Sequence, residues 1–359
     1  MCFSLRSMSS VSIECSSSDD QFDRLPDSVL LLIFKKVGDV KALGRCCVVS
    51  KRIHELVPQV DTVLVRVDSV ISDDESSPSS LHSSSDKSHS PSFFRFLFRG
   101  FIKPFHALGV LLGVHRDRLI SDPLNEDASS CCVTHHSPSQ VLKNFSEIKS
   151  VRIELPSGEL GIEEGALLKW RATFGSTLDS CVILGASSMS TIPDTFSASE
   201  SDNGSIPESF YTNGGLKMRV VWTISSLIAA SARHYLLQPI ISEHVSLESL
   251  ILADVDEQGV LCMNKEQLEE LRVKPLSASS LSKRTLVPAL NIRLWYAPTL
   301  RLEDGIVMKG ATLVAIRPSE SMDVSDSLSW VASAFEEPYG NAARMLVKRR
   351  TYCLEMNSF

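Results

Sequence analysis

Residues 23–57 read DRLPDSVLLLIFKKVGDVKALGRCCVVSKRIHELV. Pro26 suits the first position of a helix, where its missing N–H is not needed, and Asp27 complements the helix dipole. Val29, Leu30, Ile33, Phe34 and Val37 share one broad face at helical spacing, which Leu31 and Leu32 extend. Gly38 is placed to end this helix. The pattern predicts a second, short helix over 39–47, carrying Val40, Leu43 and Cys47. Ser50 can cap a third, with Ile53, Leu56 and Val57 apolar, ending before Pro58. A unit of about 40 residues rarely supports its own core. Burying one large apolar side chain contributes roughly 1.5–3 kcal/mol, and the first helix is apolar on more sides than two small neighbours can cover. The simplest solution is a partner's surface, with Leu25, Pro26, Ile33 and Phe34 as central anchors.

Around this unit the chain divides by composition. It has 359 residues, 43% hydrophobic and 22% charged, with a formal net charge of -7. At roughly 150 residues per domain that suggests about two domains. The acidic balance argues against a protein whose main task is gripping phosphates. Nine cysteines, an odd number without a C-x-x-C, fit a reducing compartment better than a disulfide scaffold, and cytoplasm or nucleus is the expected location. The Ser-rich stretch 1–19 has no apolar h-region, so neither secretion nor a lipid anchor is expected. The longest largely apolar run, Val220 to Ala232, stops after 13 residues at Arg233 and His234; a spanning helix needs about 20.

Residues 69–92 hold 12 serines in 24 positions and read as a flexible linker. Within a largely disordered insert, 69–140, the stretch 93–116 carries six phenylalanines among Arg95, Arg99 and Lys103. Such a segment could touch a membrane through 93–114; docking on the protein's own body is the preferred reading. A folded α/β body is expected over 141–359, with a second disordered insert at 187–215.

An apolar–x–x–apolar–x–apolar pattern recurs in and before this body. It appears at Val60, Val63, Val65; at Ile148, Val151, Ile153; at Leu178, Cys181, Ile183; at Leu247, Leu250, Leu252; and at Val287, Leu290, Ile292. This is the strand half of a leucine-rich-type repeat, in degenerate form without its usual asparagine. The fold class is therefore read as α/β: three N-terminal helices, then a degenerate leucine-rich-repeat-like body with an antiparallel β end. Helices are expected at 162–174, from Leu167, Trp170 and Phe174 with Gly175 as a stop, at 218–238 and at 264–272. NIRLWYAP, TLRLED and GATLVAIRP should be strands with Gly305 and Gly310 in the turns, and MLVKRRTYCLEM can add another.

The stretch LPDSVLLLIF followed by VKALGRCCVVSKRIHEL closely resembles the F-box motif of Skp–cullin–F-box ubiquitin ligases. Leu25-Pro26, the Val29 to Ile33-Phe34 spacing, Leu43 and Val49-Ser50-Lys51 carry the likeness; many F-boxes hold Trp where this chain has Ile53. LLKWRATFGSTLDSCVILGAS, LWYAPTLRLEDGIVMKGATLVAIRPSES and AFEEPYGNAARMLVKRRTYCLEMNSF are similar to the auxin up-regulated F-box type of plants. The resemblance implies a non-catalytic, substrate-recruiting subunit that bridges a Skp-type adaptor, and through it a cullin, to a target protein for ubiquitination. It implies adaptor contact through Leu25, Pro26, Val29, Leu30, Ile33, Phe34, Leu43, Val49, Ser50 and Ile53, and no catalytic residue or cofactor.

Two other classes compete. One is an interaction module independent of ubiquitin. The other is a helix-turn-helix over 38–56, with Lys51 and Arg52 facing phosphate. Residues 19–60 hold seven Lys/Arg against six Asp/Glu, too even a balance to favour nucleic acid. Cys131, Cys132, His135 and His136 cluster, but adjacent ligand pairs suit a tetrahedral zinc poorly, so no metal is expected. No phosphate-loop, dinucleotide, zinc-protease or nucleophile-elbow motif occurs. His234 and His244 are expected to be structural, and Trp170, Trp222, Trp295 and Trp330 to be core. Lys348-Arg349-Arg350 reads as a solvated strand edge rather than a targeting signal.

Overall fold

The computed structural model describes residues 21–67, 138–156, 160, 165–191, 210–211, 215–274, 278–279, 284–319 and 328–356. The N-terminal helices are α1 (Asp27–Val37), α2 (Val40–Cys47) and α3 (Lys51–Leu56), closed by a 3-10 turn at Val57–Gln59 and followed by β1 (Thr62–Arg66). After α4 (Pro138–Leu142) come β2 (Ser150–Leu155), β3 (Leu167–Phe174), β4 (Leu178–Ala186) and β5 (Ser188–Thr191). The long helix α5 (Gly215–Glu243) precedes β6 (Ser249–Asp254), β7 (Gly259–Met263) and α6 (Lys265–Val273). The short β8 (Ala278–Ser279) and β9 (Arg284–Thr285) pair only with each other. The chain then runs through β10 (Leu290–Arg301), β11 (Ile306–Pro318), α7 (Ser329–Ala332), α8 (Tyr339–Val347) and β12 (Thr351–Met356).

One ten-stranded mixed sheet organises the described residues, in the order β1-β2-β6-β7-β3-β4-β11-β10-β12, with β5 also on β11. All fifteen residues of the recurring apolar pattern are buried. Three of the five units lie side by side, parallel and in register: Val63 opposite Val151 and Leu250, Val65 opposite Ile153 and Leu252. The other two sit in antiparallel pairs, β4 between β3 and β11, and β10 between β11 and β12. A leucine-rich solenoid would keep every unit parallel to the next; here the pattern marks strands with buried faces, and no solenoid forms among the described residues.

The segment expected as a helix at 162–174 is the strand β3 where it is described. Leu168, Trp170, Ala172 and Phe174 point into one core and Lys169, Arg171 and Thr173 alternate outward. Period two wins over the three-residue match because Trp170 and Phe174 satisfy both spacings and every other residue satisfies only the strand. Gly175 turns the β3–β4 hairpin instead of ending a helix, its N–H donating to the Thr177 carbonyl. NIRLWYAP and TLR form one strand, β10, and Gly310 sits inside β11 at a positive φ while Gly305 makes the turn. A Cβ at Gly310 would lie 2.9 Å from the Arg219 guanidinium. Part of the expected insert 187–215 is β5. The helices at 218–238 and 264–272 are α5 and α6, and the antiparallel β end is present.

Alternation along the strands divides the interior into two cores. Cys181 and Ile183, Ile292 and Leu294, Val314 and Ile316 join the core that holds α5 and α6. Val182 and Leu184, Trp295 and Ala297, Leu313 and Ala315 face the other way and pack with Ala342, Ala343 and Leu346 of α8. The β4–β11–β10 half is thus buried on both faces, and its strands read as nearly continuous apolar runs. The N-terminal helices share the first core through Leu30, Phe34 and Leu43. They join the sheet directly: the Leu64 N–H donates to the Gly38 carbonyl at 2.8 Å, and Arg66 bridges Asp39 at 3.1 Å and Glu154 at 3.0 Å.

A buried ion pair fixes α5 to the sheet. Arg233 and Asp254 are each 1% exposed, with Arg233 Nη2 2.6 Å from Asp254 Oδ1. Arg233 Nη1 also donates to the Gly259 carbonyl, Asp254 Oδ2 accepts the Gly259 N–H, and the guanidinium lies 4.8 Å from the Trp170 ring centre. Removing one member of such a pair strands a buried charge. Asp254→Ala is therefore expected to destabilise the fold by about 3–5 kcal/mol, read from denaturant melts.

At the next residue of the helix, His234 is buried, hydrogen-bonded through Nδ1 to Thr285 Oγ1 and stacked on Phe174. Burial pushes its pKa down to about 3, so it is neutral in the fold and protonates first in the unfolded chain. Its contribution is complete above about pH 6.5, the ordinary histidine value, and is lost as pH falls toward 3. Melts of His234→Gln over this range should show a smaller loss of stability on acidification than the wild type.

Candidate protein-interaction site

The N-terminal surface is built by capping and by the period of α1. Pro26 is the cap residue rather than the first helical one, with φ −61° and ψ 150°, and Asp27 begins the helix. Gly38, at φ 59°, closes α1 by donating its N–H to the Phe34 carbonyl. Asp39 accepts the N–H groups of Lys41 and Ala42, both at 2.9 Å, and starts α2. Ser50 Oγ accepts the Ile53 N–H at 3.2 Å and starts α3. The Lys35 ammonium, hydrogen-bonded to Asp61, holds that carboxyl below the ordinary carboxylate range.

The ten residues expected to meet an adaptor separate into three groups. Leu30, Phe34 and Leu43 are buried within this chain, among Val40, Leu56, Val57 and Val63. The four-residue step from Leu30 to Phe34 points both inward, so these three belong to the core and are withdrawn as contact residues. Leu25 and Ile53 are half-buried against that core, and Ser50 is occupied as a cap. Pro26, Val29, Ile33 and Val49 are exposed.

The exposed set is larger than expected. Leu32 is 64% exposed, Val49 68% and Val48 86%, and Val37 is exposed at the end of α1. Val48 was missed because two adjacent valines between helices carry no periodicity that signals their direction. Two apolar outcrops result, one along α1 and one at the α2–α3 corner, where Cys47, Val48, Val49, Lys51 and His54 line a shallow hollow.

Arg52 ties the first outcrop down. Its Nε donates to Asp27 Oδ1 at 2.9 Å, and its guanidinium also donates to the carbonyls of Phe22, Asp23 and Leu25. This corrects the phosphate-facing role expected of Arg52 in a helix-turn-helix, because its donors are spent within the chain. Among the described residues no group of three or more His, Cys, Asp or Glu could hold a metal ion, and no helix is long and apolar enough to cross a membrane. Cys131, Cys132, His135, His136 and the Phe/Arg-rich stretch 93–116 lie outside the described residues.

A family model, F-box-like, matches residues 22–62, the three helices and the start of β1. The chain belongs to the F-box proteins. It is 67% identical to F-box protein At4g18380 and 64% identical to F-box protein At5g46170 of Arabidopsis thaliana, each alignment covering 95% of this chain and 94% of the relative. F-box protein AUF2 of the same plant is 38% identical over 95% of this chain and all of its own length. No solved structure matches. F-box proteins generally serve as non-catalytic substrate adaptors of Skp–cullin–F-box ubiquitin ligases, and the domain implies binding to a Skp-type adaptor.

Arg52→Ala should free the 22–27 segment from α3. Amide exchange is expected to rise across residues 22–30, adaptor capture to weaken several-fold, and exchange in β2 and β6 to stay unchanged.

Proposed function

We propose that this chain is the substrate-recognition subunit of a Skp–cullin–F-box ubiquitin ligase, holding a Skp-type adaptor with its N-terminal helices and presenting a target protein on the α/β body. The observation that carries this reading is the row of exposed apolar side chains on α1, Val29, Leu32 and Ile33, beside Pro26 and continued by Val48 and Val49 at the α2–α3 corner. Large apolar side chains left in water on a rigid helix face are what a partner helix or groove covers. Leu30, Phe34 and Leu43 support that face from below without touching the partner. Leu25 and Ile53 pack at its rim, and Ser50 fixes the corner that exposes Val49.

The body carries no role in adaptor binding in this reading. Its part is to select the target, and ubiquitin transfer belongs to other subunits. The chain would work in the cytoplasm or nucleus; the described cysteines, all free, agree with a reducing compartment.

Co-expression with a Skp-type adaptor tests this. A stable complex is expected with the wild type and with Val245→Asp, which puts the same charge on an exposed site of the body. Val29→Asp with Ile33→Asp should lose at least about 2 kcal/mol, or about thirtyfold in Kd. A folded wild type that ignores the adaptor would sink the assignment and leave a ubiquitin-independent interaction module.

A further inference from the structure

The sheet half formed by β1, β2, β6, β7 and β3 is packed on one face only. On its other face Leu64, Arg152 and Ile251 stand in register, Cys262 follows opposite Ile251, and Val260 pairs with Arg171 on the next rung. All six are outside both buried cores. Beside them the segment joining α7 to α8 rises over β3. Sheet and segment enclose a cleft of about 210 Å³, with Arg171, Ile251, Val260, Cys262 and Phe335 in its lining.

The charges in this cleft are unequally engaged. Arg152 pairs with Glu154 at 3.1 Å and with Glu257 at 3.8 Å. Burial opposes ionisation of Glu154, but hydrogen bonds from Arg152 and Arg66 outweigh it and hold its carboxyl below the ordinary value. Lys169 donates to the carbonyls of Asp256 and Glu257 and lies 4.9 Å from the Tyr339 ring centre. Glu337 is bound to Arg344. The Arg171 side chain, half-buried on the sheet with the Cys262 thiol as its electrostatic neighbour, makes neither a hydrogen bond nor an ion pair among the described residues. It is the cation of the lining left for something else.

We propose that this cleft is where the target is held, and that it takes a short extended peptide whose anionic side chain, carboxylate or phosphate, meets Arg171 while a neighbouring apolar side chain lies on Ile251, Val260 and Phe335. This rests on the substrate-recruiting reading above. A planar guanidinium at the bottom of a cleft receives a carboxylate or phosphate through two parallel N–H donors. The cavity is smaller than the roughly 300–1,000 Å³ of sites that enclose a small molecule, so it suits one or two side chains projecting from a larger partner. Glu336 on the rim is exposed and repels an incoming anion across water, where screening leaves the effect small.

The test uses the full chain bound to its adaptor and three fluorescein-labelled peptides: Gly-Leu-Glu-Leu-Gly, the same with phosphoserine for glutamate, and the same with glutamine. Fluorescence anisotropy should show saturable binding of both anionic peptides, with the glutamine peptide about tenfold weaker. Whichever anionic peptide binds more tightly names the group as carboxylate or phosphate. Arg171→Gln should erase the preference for the anionic peptides and leave adaptor capture intact. Glu336→Gln should tighten the anionic peptides and leave the glutamine one unchanged, an opposite sign that loss of folding cannot produce. Equal affinity for the glutamate and glutamine peptides would overturn the proposal. So would no saturation at millimolar peptide, or an Arg171→Gln variant that binds like the wild type. Adaptor capture is read separately, so either reading can fail without the other.

Discussion

The Arg233–Asp254 pair is the constraint on which the rest of the body hangs. Helix α5 is apolar on most sides and could slide on the sheet without much change in buried area, because hydrophobic contact is non-directional. The guanidinium removes that freedom. It is joined to β6 through Asp254, to β7 through the Gly259 carbonyl, and lies against Trp170 of β3. Gly259 is part of the same lock, since any Cβ there would lie 2.3 Å from the Trp170 ring. The β6–β7 hairpin and β3, far apart in sequence, are thereby held under one helix. A second arginine on α5 repeats the device at the other end. Arg219 lies 4.8 Å from the ring centres of both Phe210 and Tyr296, which touch each other, and donates to Thr312 and to the Gly310 carbonyl.

With α5 fixed, the asymmetry of the sheet follows. The β4–β11–β10 half is sandwiched between α5 and α8, whereas the β1–β2–β6–β7 half has helices on one face only. A polar and charged face is the ordinary solution for a sheet side left to water. Arg66, Arg152, Glu154 and Lys169 give it that character, yet Leu64, Ile251 and Val260 interrupt it. The N-terminal helices grip the β1 edge of this same half, through Asp39, Gly38 and Arg66. That contact also covers the strand edge, which would otherwise offer unpaired N–H and C=O groups to another chain.

Much of this was legible in the sequence, in unequal degrees. The three N-terminal helices were readable because start and stop residues stand around them: Pro26, Gly38, Ser50 and Pro58. The recurring apolar triplets located buried strands correctly, since a residue before a strand and two alternate residues within it must face one core. They could not give strand order. Val151 and Ile183 sit in equivalent triplets, yet one lies in a parallel neighbour of β1 and the other in an antiparallel hairpin, and that difference is decided by connections far away in sequence. Trp170 and Phe174 are four apart, so both helix and strand put them on one side; only Leu168 before them and Ala172 between them settle the period. The anion-ready cleft had no local signal at all, because Arg171 meets Phe335 and Ile251 only after the sheet has formed.

The division among the residues of α1 shows why a motif match does not by itself list a binding surface. Phe34 carries the likeness to the motif as much as Val29 and Ile33 do, but the helix turns it inward with Leu30, onto Leu43, Val57 and Val63. A motif records both kinds of residue because losing either ends function, one by collapse of the face and the other by loss of contact. The two kinds are separable in physical terms. A polar substitution at Leu30 or Phe34 should lower stability whether or not an adaptor is present, because the group is buried in the free chain. The same change at Val29 or Ile33, 37% and 38% exposed, should cost the free chain less, because part of each side chain is already in water, and should act chiefly when a partner tries to cover the rest.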